Sequence, residues 1–314
     1  MRIAVIGLGL IGGSLLRALA KAGHDVVGFD ADPATRELAR GSGFEVAGSV
    51  RETVAGSGVA VVAVPLQIVP EVVADLDGYD GLVTDVTSVK GPVRDLMEGR
   101  RFVGGHPMAG KETSGFAASE AGLFEGCAWV LCLEPHGTDL GDWLLLAGLF
   151  TGLGARVVPV TATEHDTTVA QISHVPHLFA AVLAEQLLSN PLAGTLAAGS
   201  FRDGTRVAAT RPELIAAMCG GNGSAVHREL HQLIGELQEL AADLELPDPV
   251  AELTFDLRRA SAARRSWPAT AGPPETIAAD VQALLALGRA GGWVTEVKGR
   301  ELVGKRPEPD RFLP

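Results

Sequence analysis

Three clusters of residues have types and spacings that can do chemistry. In the first, VIGLGLIGGS, Gly7, Gly9 and Gly12 are spaced as G-x-G-x-x-G directly after an apolar run and before a helical pattern. In that context Gly7 allows a tight turn, Gly9 lets the backbone approach a pyrophosphate, and Gly12 lets the helix pack closely on the strand. The first N–H groups of the helix then face the negative charge. Leu8, Leu10 and Ile11 fill the intervening positions, and Val64 and Pro65, at the end of another apolar run, complete the candidate cofactor contacts. Asp30 closes the second apolar run, where a carboxylate can accept hydrogen bonds from adenosine ribose hydroxyls and would repel a 2′-phosphate. NAD is therefore expected over NADP, a preference that the nearby Arg36 tempers.

The second cluster combines TDVTSVKG at 84–91 with GGHPMAGKETSG at 104–115. Each follows a predicted parallel strand, at the carboxyl end where open α/β sheets build their sites. A neutral His106 imidazole can take a proton from an alcohol as hydride leaves its carbon. The Ser88 hydroxyl can orient that ring or the substrate but is a weak base alone. The third cluster is SHVPH, with Ser173, His174 and His177, followed by SFRDGTR with Arg202 and Arg206. Residues three apart are neighbours on a helix, Pro176 is expected to bend or break it, and His165 would lie opposite His174 on an ideal helix. His174 has a packed or interface role as its alternative, while His177 is expected to face an anionic ligand. No carboxylate partner at a recognised spacing accompanies these histidines, so no metal is expected. A guanidinium suits bidentate contact with a carboxylate, although surface charge is the plainer reading for any single arginine.

Apolar runs at 2–7, 59–64, 82–86 and 102–105, together with VVGFD, alternate with helical or turn-rich stretches. That alternation predicts a parallel sheet with crossover helices, an α/β Rossmann-type NAD-binding domain over 1–160. The runs at 129–134 and 156–160 are expected to continue the same sheet. From Thr161, which stands at capping-box spacing from Glu164, the pattern turns helical, with stretches near 211–219, 223–244, 248–265 and 275–289. A mostly α-helical substrate and dimerisation domain is expected over 161–290, and the Gly-, Pro- and charge-rich stretch 291–314 as a surface arm or tail.

With 314 residues, 46% of them apolar, the chain has material for two cores. Its formal charge of -12, from 26 basic and 38 acidic residues, is spread along the sequence and argues against nucleic acid or an anionic membrane as the main partner. Cys127, Cys132 and Cys219 are too few and too irregular for a disulfide scaffold or a metal site, and are expected as buried thiols. The first strand begins at Met1 with no leader pattern, and no apolar stretch approaches about 20 residues, so a cytoplasmic location is expected.

The glycine fingerprint closed by Asp30, then TDVTSVK, GGHPMAGKETSG, the pair His165–Asp166, SHVPH and SFRDGTR resemble in this order the landmarks of the prephenate and arogenate dehydrogenases, most closely the prephenate enzymes. The resemblance runs over roughly residues 1–285. It implies NAD-dependent oxidative decarboxylation of prephenate to 4-hydroxyphenylpyruvate and carbon dioxide in tyrosine biosynthesis. It implies His106 as the catalytic histidine on the substrate C4 hydroxyl, Ser88 as its supporting serine, and Glu112 as a gating or pocket acid. His165, Ser173, His174 and His177 match substrate-domain positions, and Arg206 matches the ligand of the substrate carboxylate. A homodimer through the helical domain is implied too, with both domains contributing to the crevice. Lys111 departs from the neutral residue of some members, the final stretch has no family match, and the length fits no separate regulatory or chorismate mutase domain. Arogenate or an amino-substituted prephenate would keep the same chemistry. A hydroxyacid or imine dehydrogenase shares the two-domain plan but fits the histidines less well. A non-enzymatic NAD-sensing protein would need the glycine loop and Asp30 but not His106 with Arg206.

Overall fold

The computed structural model describes residues 1–308. Its first unit comprises Met1–His165 and Ala271–Pro307. Short runs of branched residues form β1 (Arg2–Ile6), β2 (Asp25–Phe29), β3 (Glu45–Val46), β4 (Val59–Val62), β5 (Leu82–Asp85) and β6 (Phe102–Val103). They make an all-parallel sheet of order β3-β2-β1-β4-β5-β6, whose strand order reverses beside β1. The connections are α1 (Leu10–Lys21), α2 (Pro33–Gly41), α3 (Val50–Val54), α4 (Val69–Asp75) and α5 (Gly91–Leu96). Local chemistry starts the second and third: the Asp32 carboxylate accepts from the Ala34 and Thr35 N–H groups, and Ser49 Oγ from that of Glu52. Along β1, Ile3 and Val5 pack with Leu15, Leu16 and Leu19 of α1, while Ala4 and Ile6 pack with Val50, Val69, Leu76 and Val93 on the other face. Burial on both faces is why these strands read as continuous apolar runs rather than as an alternation.

The runs expected to continue this sheet belong instead to a second one. They are β8 (Ala128–Cys132) and β9 (Arg156–Val160), in a mixed sheet of order β10-β12-β11-β9-β8-β7. Its edge strand β7 (Gly105–Pro107) runs antiparallel to β8. The break arises because β6 is two residues long and the chain passes through Gly104 directly into β7. Trp129 on β8 stacks on Phe150 of α6 (Leu140–Gly152), ring centroids 3.8 Å apart, and both are fully buried.

The expected surface arm is also corrected. It supplies β11 (Trp293–Lys298) and β12 (Glu301–Lys305), which join β10 (Glu275–Ile277) in the second sheet. Val294 and Leu302 are wholly buried, so the charged residues that mimicked a tail are solvent-facing positions of a hairpin, with Gly299 at its turn and Gly304 buried against Ile277. Residues 309–314 of that stretch lie outside the described residues. The stretch at 275–289, expected in the helical domain, likewise belongs to the first unit. Its α14 (Val281–Arg289) buries Leu284, Leu285 and Leu287 in the core shared with Trp129.

The second unit, Asp166–Thr270 with Glu308, contains no strand among its described residues. α7 (Ala162–Val169) runs into it and is followed by a π turn at Ala170–His174 and then α8 (Val175–Ser189). Pro176 occupies the first turn of α8, where its missing N–H costs nothing, so the irregularity lies in the π turn before it. α9 (Pro191–Leu196), α10 (Gly199–Thr205), α11 (Pro212–Gly221), α12 (Gly223–Asp243) and α13 (Pro249–Arg265) complete the unit. Its buried cluster is small, built on Ala170, Val175, Cys219, Ala225 and Val226, while Leu188, Leu196 and Val250 are exposed at 86%, 70% and 75%. Among the described residues no helix is long and apolar enough to cross a membrane.

Candidate functional site

The glycine loop leaves β1 through Gly7, whose φ of 95° and approach to the Ala63 carbonyl, 2.4 Å from where a Cβ would stand, exclude any side chain. A Cβ at Gly12 would fall 1.8 Å from the Gly7 oxygen, so α1 presses directly on the turn. Gly9 caps α1 with no side-chain hydrogen bond, and nothing lies within 4 Å of its Cβ direction. The first-turn N–H groups therefore have room for a phosphate. Leu8 is buried, Leu10 and Ile11 half-buried, and Val64 lies against the turn with Pro65 exposed beyond it.

Asp30, just past β2, holds this loop. Its Oδ2 accepts the Leu8 N–H at 2.7 Å and its Oδ1 the Asp32 N–H at 2.9 Å. Each carboxylate oxygen has a second lone-pair direction with which to accept a ribose hydroxyl. Arg36 Nη1 donates to the Asp30 and Ala31 carbonyls at 2.6 and 3.0 Å, which ties the guanidinium to the backbone beside the carboxylate. This turn, uncapped helix and acid fit an adenine dinucleotide.

His106 is the middle residue of β7, paired with Val130. Its Nδ1 lies 2.9 Å from His165 Nε2, and the two rings meet edge to face with centroids 5.1 Å apart. One nitrogen of that contact carries the proton and the other accepts it, so His165 holds the orientation of His106 and couples the tautomers of the two rings. His165 is itself buried at 2% exposure near the start of α7, whose first turn is firmly capped. The expected capping box forms: Thr161 Oγ1 accepts the Glu164 N–H at 3.2 Å and Glu164 Oε2 the Thr161 N–H at 2.8 Å. Arg289 Nε donates to Glu164 Oε1 at 2.6 Å, and Glu134 Oε1 accepts the Ala162 N–H at 2.7 Å. Burial works to raise the Glu164 carboxyl, but the Thr161 N–H and the Arg289 guanidinium outweigh it and hold the group below its ordinary range.

Ser88 is half-buried in the loop after β5, and no hydrogen bond joins it to His106 among the described residues. The orienting partner is thus His165, 59 positions away in the chain. The sequence reading also passed over Asp85 and Lys90, a fully buried ion pair in the same TDVTSVK segment. Its one sequence signal is an aspartate closing an apolar run with a lysine five residues later. Glu112 is exposed in the loop beyond β7, next to Lys111, whose Nζ pairs with Glu120 at 2.6 Å.

In the helical unit, the π turn carries Ser173 and His174. His174 is 1% exposed, and its Nδ1 lies 3.2 Å from Asn222 Nδ2, which also donates to the Asp166 carbonyl at 2.7 Å. His174 is thus packed within the helical unit. His177 is half-buried, and its Nδ1 donates to the Ser173 carbonyl at 2.8 Å. Ser173 is half-buried too, and Arg206 is exposed where α10 passes into a 3₁₀ turn.

Two family models match the chain: the prephenate dehydrogenase nucleotide-binding domain over residues 15–159 and the prephenate dehydrogenase dimerization domain over 161–252. The prephenate dehydrogenase of Lactococcus lactis is 35% identical over 66% of this chain, a match that spans 61% of the relative's own length. That of Bacillus subtilis is 32% identical over 78% of this chain and 71% of its own. Among solved structures, the prephenate dehydrogenase of Aquifex aeolicus in complex with hydroxyphenyl propionate and NAD+ superposes with a TM-score of 0.78. It is 27% identical, over 85% of this chain and 98% of the other. The chain belongs to the prephenate dehydrogenase family.

Proposed function

We propose that the protein catalyses NAD-dependent oxidative decarboxylation of prephenate, with His106 as the proton acceptor. The observation that carries this reading is the His106 Nδ1 to His165 Nε2 contact of 2.9 Å, which holds an imidazole in one orientation beside the carboxyl ends of the parallel strands. Bound NAD supplies the acceptor for the hydride that leaves substrate C4. His106 takes the C4 hydroxyl proton as that hydride departs, which leaves a carbonyl at C4. The bond from C1 to its carboxylate then breaks, carbon dioxide leaves, and the electron pair passes through the ring to the C4 oxygen. That oxygen recovers the proton, giving 4-hydroxyphenylpyruvate. Formation of an aromatic ring drives the second step, so the chain's residues mainly align the donor carbon and stabilise charge at C4.

Asp30 favours NAD over NADP by offering acceptors to the ribose and repulsion to a 2′-phosphate. Arg206 is assigned to a substrate carboxylate, Ser88 and Glu112 to the substrate surroundings, and Ser173 and His177 to the substrate-facing part of the helical unit. Apolar residues such as Leu188, Leu192 and Leu196, exposed at 86%, 61% and 70%, support a homodimer through that unit. The test is initial NADH formation by purified protein with NAD, comparing prephenate and arogenate at matched subsaturating concentrations. Preference for prephenate supports the reading, preference for arogenate keeps the mechanism and changes the substrate, and turnover of neither overturns it.

A further inference from the structure

We propose that the buried Asp85–Lys90 pair is a positioning device for His106, acting by clamping the two peptide groups that flank Gly105; this rests on the reading of His106 given above. Asp85 ends β5 at 0% exposure and Lys90 is 1% exposed. Asp85 Oδ1 accepts the Gly105 N–H at 3.1 Å, and Lys90 Nζ donates to the Gly105 carbonyl at 2.6 Å. The clamp is closed on itself: Asp85 Oδ2 accepts from Lys90 Nζ and from the Thr87 N–H at 3.0 Å. Thr87 Oγ1 lies 2.5 Å from that carboxylate oxygen and 3.0 Å from Lys90 Nζ.

Stability alone gives no reason to keep such a pair, because the hydration two charges lose on burial offsets most of their attraction, and apolar residues of like volume would serve as well. What apolar residues cannot do is grip one residue by its backbone donor and its backbone acceptor. That grip is needed here. β7 is a three-residue strand at the edge of its sheet, and a slip of one residue would turn the His106 side chain to the opposite face, away from His165. Gly105 lies so close to β5 that a Cβ would stand 2.6 Å from the Asp85 carbonyl oxygen. Thr84 Oγ1 and Trp129 Nε1, each 3.2 Å from that same point, are buried without a hydrogen-bond partner and offer no substitute anchor.

The informative variant is D85N/K90M, which removes both charges together and leaves neither unpaired. It is expected to keep its melting temperature and its affinity for NAD within about threefold while kcat falls about 10²-fold, the usual consequence of misplacing a reacting group by about 1 Å. Because the clamp acts through His106, adding H106A to the double variant should lower kcat little beyond H106A alone. Retention of kcat within about threefold would overturn the proposal, as would losses that multiply in the triple variant or a kcat that falls only in step with NAD affinity and melting temperature. If the double variant does not fold, T87V decides, since it deletes only the hydroxyl that touches both partners. It should lower kcat about fivefold with the same non-additivity toward H106A, and either no loss or a multiplicative one sinks the idea. Wild-type protein inactive on both substrates would be a failure of the functional reading instead. The clamp is then judged by the ¹⁵N spectrum of the His106 ring, which must differ between wild type and D85N/K90M.

Discussion

Asp30→Ala removes a carboxylate with two kinds of partner, and the structure predicts how their loss separates. In the protein itself the Leu8 and Asp32 N–H groups, at 2.7 and 2.9 Å, lose their acceptor, which loosens the glycine loop and weakens NAD and NADP alike. In the proposed complex the ribose hydroxyls of NAD lose theirs as well. A hydrogen bond to a charged acceptor contributes about 1.5–3 kcal/mol net. For a half-buried carboxylate the low end applies, and only the 2′-hydroxyl distinguishes the cofactors, so the selective loss is about 1.5–2 kcal/mol, or about 12- to 30-fold in Kd. NADP has no 2′-hydroxyl to lose and escapes repulsion worth about 1 kcal/mol in a water-exposed crevice, about a fivefold gain. The ratio of the two dissociation constants should therefore move by about 10²-fold toward NADP in calorimetric titrations with each cofactor. Equal weakening of both would show that Asp30 only anchors the loop, and unchanged affinities would remove it from the site.

H106A is expected to lower kcat by about 10²- to 10⁴-fold while the Kd for NAD stays within about threefold; near-normal turnover would refute its role as proton acceptor. R206A should raise KM for prephenate by about 10- to 100-fold with kcat largely kept, and an unchanged KM would move the carboxylate contact elsewhere. E164Q tests the cap of the helix that carries His165. Because the Glu164 carboxyl is held below its ordinary 4.5, its stabilisation is present above that pH and fades as the pH falls through the lower folded value. The variant should melt below wild type at neutral pH, and the two curves should converge on acidification. A gap that stays constant into acid would contradict the linkage.

What the sequence discloses is local, and what it hides is long-range. The turn at Gly7 and the reciprocal cap of Thr161 and Glu164 are legible because both are constraints among residues a few positions apart. α12 and α13 fall close to the periodic stretches for the same reason. The second sheet is hidden because an apolar run such as 129–134 announces burial without naming its strand neighbours. The β11–β12 hairpin is hidden because the charged sequence neighbours of its buried Val294 and Leu302 dominate the local composition. Within the two units, the contacts that orient candidate histidines join His106 to His165 across 59 positions in the first and His174 to Asn222 across 48 in the second, and no spacing rule reaches so far.

Local preference yields at three places. The backbone adopts a positive φ at Gly7, a helix widens into a π turn at Ala170–His174, and two opposite charges leave water at Asp85 and Lys90. Each could be replaced by something more ordinary without changing the fold: a longer turn, a regular helix, an apolar pair. Departures of this kind persist where another requirement holds them, and all three adjoin a candidate site residue. The ion pair is the most telling. The first two choose a backbone path, but only the pair fastens a specific residue, Gly105, on both of its peptide groups, and that residue leads directly into His106. β7 is a short edge strand held on one side only by its pairing with β8, so the buried charges add, from outside the strand, a second hold on the residue that leads into His106.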